Sequence, residues 1–447
     1  MTRTTRPARP SAARRSTALR GAAVVGALAL TLAACSGGGG SDADPEAAAE
    51  EGGELLVWAW DPTVEPIAEA YMEANPDVTI ELVNAGTGND QYTALQNAIS
   101  AGSGVPDLAQ IEYYALPQFA IGESLADLTE LGADELEGTY TPGPWNAVQQ
   151  GEGVYGLPLD SGPMALFYNE ELFTQHGIEV PTTWEEYVAA ARTLHAADPN
   201  AYITADTGDA GLATSLMWQA GGRPFQVEGT DVTVDLADEG SQQYAELWQQ
   251  LVGEDLVAPI SAWSDEWYQG LGNGTIATLV TGAWMPGNFE SGVPEGSGKW
   301  RVAPMPQWEA GESVTAENGG SAMSVMEASE NKALAYDFLE FASAGDGVQI
   351  RIDGGGFPAT VADLESEEYL GTESEYFGGQ KINEVLSQAA ADVSEGWQYL
   401  PFQVYANSVF NDTVGQAYVS DATIAEGLSA WQEQLVTYGN DQGFTVE

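Results

Sequence analysis

The side chains that could do chemistry are unevenly supplied. The 447 residues include 67 Asp and Glu and 13 Trp, but only 2 His and 1 Cys. His176 and His195 lie in helical contexts with no carboxylate cluster at metal-ligand spacing, so no metal site is expected. The stretch Gly296–Trp300 (GSGKW) suggests a phosphate loop. It fails, because Val293 stands where the first Gly belongs and Trp300 where Ser or Thr belongs. There is no G-x-S-x-G elbow, and a Ser–His–Asp triad would need one of the two histidines. Carboxylate pairs abound at this acid content, so composition leaves a glycosidase open. No catalytic residue and no cofactor are assigned.

The aromatics say more. Trp58 and Trp60 end the apolar run Glu54–Trp60, and Tyr113 and Tyr114 follow the run Asp107–Ile111. Trp397, Tyr399 and Phe402 share the loop GWQYLPF. By contrast Trp184, Trp248 and Trp431 fall on helical apolar stripes and read as core.

The elements that must hold these residues alternate. Glu54–Trp60 reads as a strand. Asp61-Pro62 then supplies an N-cap and a Pro at the first helical position. Val64, Ile67, Ala68, Tyr71 and Met72 share one helical face. Val78–Val83 and Asp107–Ile111 are the next strands, with a helix over Asp90–Ala101 between them. Asn89 and Asp90 read first as capping residues. This alternation argues for an α/β fold with a largely parallel sheet. Further on, helices are expected at Trp184–Ala197, Lys332–Ser343 and Val404–Val419, and a strand at Gly274–Val280. Thr423 and Glu426 cap a last helix that turns Ile424, Leu428, Trp431 and Leu435 inward. About 400 residues exceed one core, so two domains are expected.

Charge locates the protein. The formal net charge is −54, and six of the 13 bases are arginines within the first twenty residues. From Cys35 onward 67 acids face 7 bases. Nucleic-acid binding and a polybasic membrane surface are thereby excluded. Residues 1–34 read as a signal peptide, with an Arg-rich start and an apolar stretch from Gly21 to Ala34 too short to span a bilayer with margin. Leu32-Ala33-Ala34-Cys35 resembles a bacterial lipobox, which implies a lipid on Cys35, the only cysteine. The Gly-, Ser- and acid-rich residues 35–53 read as a flexible tether.

Several segments now read together. VYGLPLDSGPMALFYNEELF (Val154–Phe173) and the following PTTWEEY resemble the crossover and helix of ABC-transporter solute-binding proteins of the maltose-binding, carbohydrate type. GTIATLVTGAWMPGNFE (Gly274–Glu290) and NGGSAMSVMEASENKALAYDFLEFAS (Asn318–Ser343) resemble further motifs of that family, and the lipobox fits its Gram-positive members. The resemblance spans about Glu54 to Gln442. It implies a two-lobed, periplasmic-binding-protein-like α/β fold, with a hinge of crossover segments and a ligand cleft between the lobes. Lobe one would be 54–159 plus 320–354, and lobe two 161–318 plus 357–447. Crossings would fall near Pro158–Pro163, Asn318–Ala322 and Gly354–Pro358, where Gly or Pro separates apolar runs.

The implied function is a lipid-anchored extracellular component of an ABC importer. It would bind a neutral sugar, in particular an oligosaccharide, as a monomer. It would pass the ligand to membrane permease subunits served by a cytosolic ATPase. The alternatives are a polyamine or other cationic solute, or a secreted glycosidase. A sugar offers C–H faces to aromatic rings and hydroxyls to carboxylates and amides. Trp60 is expected in the cleft and Trp58 in the core, on the reading that alternation sends one inward and one outward. At least one of Tyr113 and Tyr114 should face the cleft. Asp160 and Trp284 are implied ligand contacts by the resemblance, with Asn288 four residues beyond the latter. Gly319 and Gly320 could bring backbone N–H groups to a ligand or serve as a bare hinge turn. Arg351, near the third crossing, could clamp a hydroxyl, an acid sugar or an interlobe carboxylate. Of the GWQYLPF aromatics, Trp397 is taken as the cleft residue.

Overall fold

The computed structural model describes residues 44–447. The expected signal peptide, the expected lipidation site Cys35 and residues 36–43 lie outside the described residues. Among the described residues no helix is long and apolar enough to cross a membrane.

Two sheets carry the fold. Their strands, in chain order, are β1 (Gly53–Trp58), β2 (Val78–Val83), β3 (Leu108–Glu112), β4 (Leu157–Pro158), β5 (Met164–Asn169), β6 (Thr278–Gly282), β7 (Trp300–Ala303) and β8 (Ser321–Val325). The first sheet has the order β2-β1-β3-β8-β4. Its β1, β2 and β3 run parallel, as strand-helix-strand units require, while β8 returns antiparallel to β3 and β4. The second sheet, β6-β5-β7, is antiparallel throughout.

The buried side chains form separate cores. One draws on residues 49–159 together with 322–342 and Ala359. The others draw on segments between Met164 and Ala316 and between Phe357 and Val446. The chain passes between these bodies from β4 to β5, from β7 to β8, and around Phe357. Residues 359–361, expected in lobe two, strap back onto lobe one. The Thr141 N–H donates to Ala359 O at 3.0 Å, and the Val361 N–H to Thr139 O at 2.9 Å. An extended segment with unpaired backbone groups satisfies them on the nearest edge.

Four local expectations need correction. First, Pro45–Glu51, part of the expected tether, is a helix. Asp44 caps it, Gly52 at φ 76° ends it, and Ala49 is buried in the first core. Alanine spacing gave this short helix an apolar face that composition hid. Second, Asp61 is not a helix cap. The helix Val64–Ala74 begins at Thr63, and the Asp61 carboxylate accepts from the Thr63 N–H and hydroxyl and pairs with Arg351. Third, the helix Asn89–Ala101 is preceded by Gly88, with no side-chain cap from Asn89 or Asp90. Fourth, Trp58 and Trp60 are both half-buried. Residues two apart share a strand face, so alternation cannot separate them.

Candidate functional site

The two adjacent crossings are bound to each other by hydrogen bonds. The Leu159 N–H donates to Ser321 O at 2.9 Å. The Asp160 carboxylate accepts from the Ser321 N–H at 2.7 Å and hydroxyl at 2.8 Å. Gln110, from β3, donates to the same hydroxyl at 2.9 Å and accepts from the N–H groups of Trp60 and Asp61. On the lobe-two side, buried Glu317 accepts from the Gly162 N–H at 2.6 Å and from the Ser161 hydroxyl. Gly319 and Gly320 follow at φ 76° and 89°. A Cβ on Gly320 would lie 2.7 Å from the Tyr113 ring, so only glycine fits.

Around this hinge the structure gathers two walls. From lobe one, Glu112 ends β3 and accepts from the Tyr92 hydroxyl at 3.0 Å, and the Tyr92 and Tyr114 rings meet edge-on at 6.1 Å. Trp60 meets Tyr92 edge-on at 6.3 Å. From lobe two, Trp284 donates its indole N–H to Asn318 O at 2.7 Å, directly before the two glycines. Asn318 is fixed in turn by Thr281 and Ser215. Asp209 caps the helix Ala210–Gln219 and lies within electrostatic reach of Glu112. Tyr399 packs against the first and second cores alike.

Burial dominates the electrostatics of the hinge, and Arg351 opposes it at Asp61 and Asp160. Burial raises Glu112 to about 7 against the tyrosine hydrogen bonds, with Asp160 and Asp209 adding to the rise. Burial likewise raises Glu317 to about 7, against its bonds to Gly162 and Ser161. Asp160 is raised to about 6 by burial and by Asp61, while Arg351 and Ser321 oppose. Asp61 behaves oppositely. Burial pushes its carboxyl up, but Arg351 and the Thr63 bonds outweigh this and hold it below its ordinary value.

Each expected residue can now be placed. Tyr114, Asp160, Trp284, Gly319 and Gly320 surround the junction of the crossings. Tyr113 is buried, and its hydroxyl donates to Asp160 O at 2.6 Å, which makes it a brace. Asn288 sits on the helix Met285–Gly292 with its amide toward Trp284 O at 3.4 Å. Arg351 is 1% exposed, pairs with Asp61, and leaves its Nε and Nη2 without a hydrogen-bond partner among the described residues. Trp397 stacks flat on Trp218 at 5.3 Å and meets Tyr399 edge-on. In that loop it is Tyr399, not Trp397, that touches both lobes.

Sequence reasoning passed over Glu112, Asp209 and Trp263. Glu112 had a signal, since it ends the same strand whose carboxyl end drew attention to Tyr113 and Tyr114. Asp209 stands four residues after a two-residue strand too short to recognise. Trp263 lies outside any periodic stripe.

The family model for bacterial extracellular solute-binding proteins matches residues 60–349. The ABC transporter associated binding protein from B. animalis subsp. lactis, solved in complex with beta-1,6-galactobiose, is 46% identical. It superposes with a TM-score of 0.82, covering 88% of this chain and 99% of that one. The galacto-N-biose-/lacto-N-biose I-binding protein from Bifidobacterium longum, solved with lacto-N-biose, is 27% identical with a TM-score of 0.77, covering 88% and 99%. The arabinooligosaccharide-binding protein of Halalkalibacterium halodurans is 26% identical over 403 residues, which is 86% of this chain and 88% of that relative. The fold is the two-lobed α/β fold expected from the motifs, and the chain belongs to the family of bacterial extracellular solute-binding proteins.

Proposed function

We propose that this protein is the sugar-binding component of an ABC importer, taking a neutral oligosaccharide between its lobes. The observation that carries this reading is the pairing at the hinge of aromatic surface with acceptors. Trp284 lies on one side, Glu112 and Tyr114 on the other, and Asp160 between them. Rings serve the C–H faces of a sugar, and carboxylates serve its hydroxyls. The 46% identical relative solved with a disaccharide supports the same class. Asn288, Tyr399, Trp60 and the Gly319-Gly320 backbone complete the proposed contacts. Arg351 acts beneath them by holding Asp61.

The lobes, 54–159 with 320–354 and 161–318 with 357–447, close on the ligand, with 359–361 strapped to lobe one. A ligand that touches both lobes favours the closed form. The loaded monomer then docks on permease subunits, and a cytosolic ATPase drives transport. The lipid on Cys35 holds the protein at the outer face of the membrane. The protein releases its ligand unchanged and catalyses no reaction. The acids Glu112, Asp160 and Asp209 favour a second reading, a cationic solute such as a polyamine.

A thermal-shift panel separates the two. Beta-1,6-galactobiose, arabinooligosaccharides and polyamines are tested in turn. A ligand at 100 times its Kd stabilises by about 2.7 kcal/mol. A shift with a polyamine and none with any sugar overturns the lead reading. Trp284→Ala should remove most sugar affinity while the ligand-free protein still melts cooperatively. Unchanged affinity removes Trp284 from the site.

A further inference from the structure

Trp263 is the most exposed tryptophan singled out by its surroundings, at 51% of its surface. It lies in the short turn Ser261–Ser264. There the Ser264 N–H and hydroxyl both bond to Ser261 O, the hydroxyl at 2.8 Å. The backbone of Trp263 has φ 66°. A bulky side chain at positive φ is a steric outlier, and turns normally give that position to Gly or Asn. Such strain persists where the surroundings enforce it, and it clusters at ligand-binding positions.

The indole is held from behind. It meets Trp267 at 5.2 Å and Tyr268 at 6.4 Å, both on the following helix Asp265–Asn273. It also meets Trp284 at 5.6 Å, with the two ring planes only 31° apart. Trp284 is tied to the hinge through Asn318. The turn itself is placed beside the segment that leads to Asp209, through the contact of the Ser261 and Thr207 hydroxyls at 3.3 Å. The apolar surface at the hinge thus continues outward onto Trp263.

We infer that Trp263 is a second stacking surface, which holds the ring of an oligosaccharide next to the one on Trp284 and so selects for ligands of two or more sugar units. This rests on the carbohydrate reading above. The occupant is a pyranose ring, because the surface is continuous with the Trp284 platform and two tilted indoles suit consecutive C–H faces better than one flat ligand. The strained turn orients the ring before ligand arrives, which lowers the ordering cost of binding.

The test measures Kd for beta-1,6-galactobiose and for galactose by isothermal titration on the wild-type protein and on Trp263→Ala, Trp263→Gly and Trp263→Phe. Losing one aromatic stacking contact should weaken galactobiose about tenfold in the Ala and Gly variants. Trp263→Phe should recover most of that loss. Galactose should change by less than about twofold; a wild-type protein that binds galactobiose but not galactose says the same. Trp263→Gly should melt above Trp263→Ala, since both lose the indole packing and only glycine relieves the positive φ. Galactobiose affinity unchanged in both truncations overturns the inference, and so does an equal loss for both sugars. A wild-type protein that binds galactobiose while its variants fail to discriminate leaves the carbohydrate reading standing and removes only this subsite. A wild-type protein that binds no sugar removes both.

Discussion

The hinge acids make stability depend on pH, and Glu317 isolates the effect. Its carboxyl is 3% exposed, faces no cation among the described residues, and rises from 4.5 to about 7 because burial disfavours its charge. Between those two values the native state binds more protons than the unfolded state. Stability from this group therefore falls as pH rises across that window. At 1.36 kcal/mol per pH unit, the raised pKa lowers native stability relative to the unfolded chain by about 1 kcal/mol at pH 5 and about 3 kcal/mol at pH 8. Glu317→Gln removes the charge and keeps the shape. The amide oxygen can accept from the Gly162 N–H while the amide nitrogen donates to the Ser161 hydroxyl. Below pH 7 the wild-type carboxyl is itself neutral, and its stronger bonds when ionised are already contained in the raised pKa, so the pH dependence of the difference is the linkage alone. The difference between variant and wild type should therefore grow by about 2 kcal/mol in favour of the variant from pH 5 to pH 8. With an unfolding entropy of about 2.1 cal/mol/K per residue over roughly 400 residues, this corresponds to about 2–3 °C. Calorimetric melting of both proteins at half-unit pH steps reads it directly. A difference that stays flat, or that turns against the variant as pH rises, refutes the assignment of a buried, cation-free carboxyl.

Two further substitutions probe the same region. Arg351→Met strips the cation from Asp61 and leaves that carboxylate buried and unpaired, so urea denaturation should show a loss of about 3–5 kcal/mol. Adding Asp61→Asn should restore more than half of it, and a double variant no better than the single one contradicts the pairing. Gly320→Ala forces a Cβ to 2.7 Å from the Tyr113 ring at φ 89°, and the same assay should show a loss of about 2 kcal/mol. A neutral result there means the turn has room that the geometry denies.

Much of the frame was legible from local signals. Val78–Val83 and Lys332–Ser343 form with the expected bounds, because apolar periodicity and turn residues agreed there. Thr423 and Glu426 make the reciprocal capping box their spacing implied, and Ile424, Leu428, Trp431 and Leu435 are all buried beneath it. What failed locally failed for tertiary reasons. Asp61 has the residue type and the following Pro of a helix cap, but a buried arginine 290 positions away claims its carboxylate. The antiparallel second sheet depends on where β6 and β7 return against β5, and neither returning segment records that direction. The residues gathered at the hinge, the candidate site, were legible in part. Strand ends pointed to Tyr114, and the family motif pointed to Asp160 and Trp284. Which aromatics are braced by the fold depends on tertiary contacts that no local pattern records. The Tyr113 hydroxyl donates to Asp160 O, and one face of Trp397 stacks on Trp218.

The scarcity of bases explains the kind of chemistry the hinge can offer. From Cys35 onward seven bases serve 67 acids. Arg192, Lys299, Arg301, Lys332 and Lys381 pair with acids that are 42–65% exposed, where ion pairs contribute little. Among the described residues Arg351 alone is buried in an ion pair, and Asp61 takes it. Glu112, Asp160 and Glu317 must then be satisfied by neutral donors. The structure supplies these as tyrosine and serine hydroxyls and backbone N–H groups. A carboxylate accepts at two oxygens with about four lone-pair positions, more than those bonds fill. Glu112 bonds Tyr92, whose ring meets the half-buried Trp60, and Asp160 bonds Ser321, three residues beyond the carbonyl that holds the half-buried Trp284. A polyhydroxylated ring brings hydroxyl donors on its rim and C–H groups on its faces. It meets both demands without bringing the full charge that would have to be desolvated on entry and stripped away again on release.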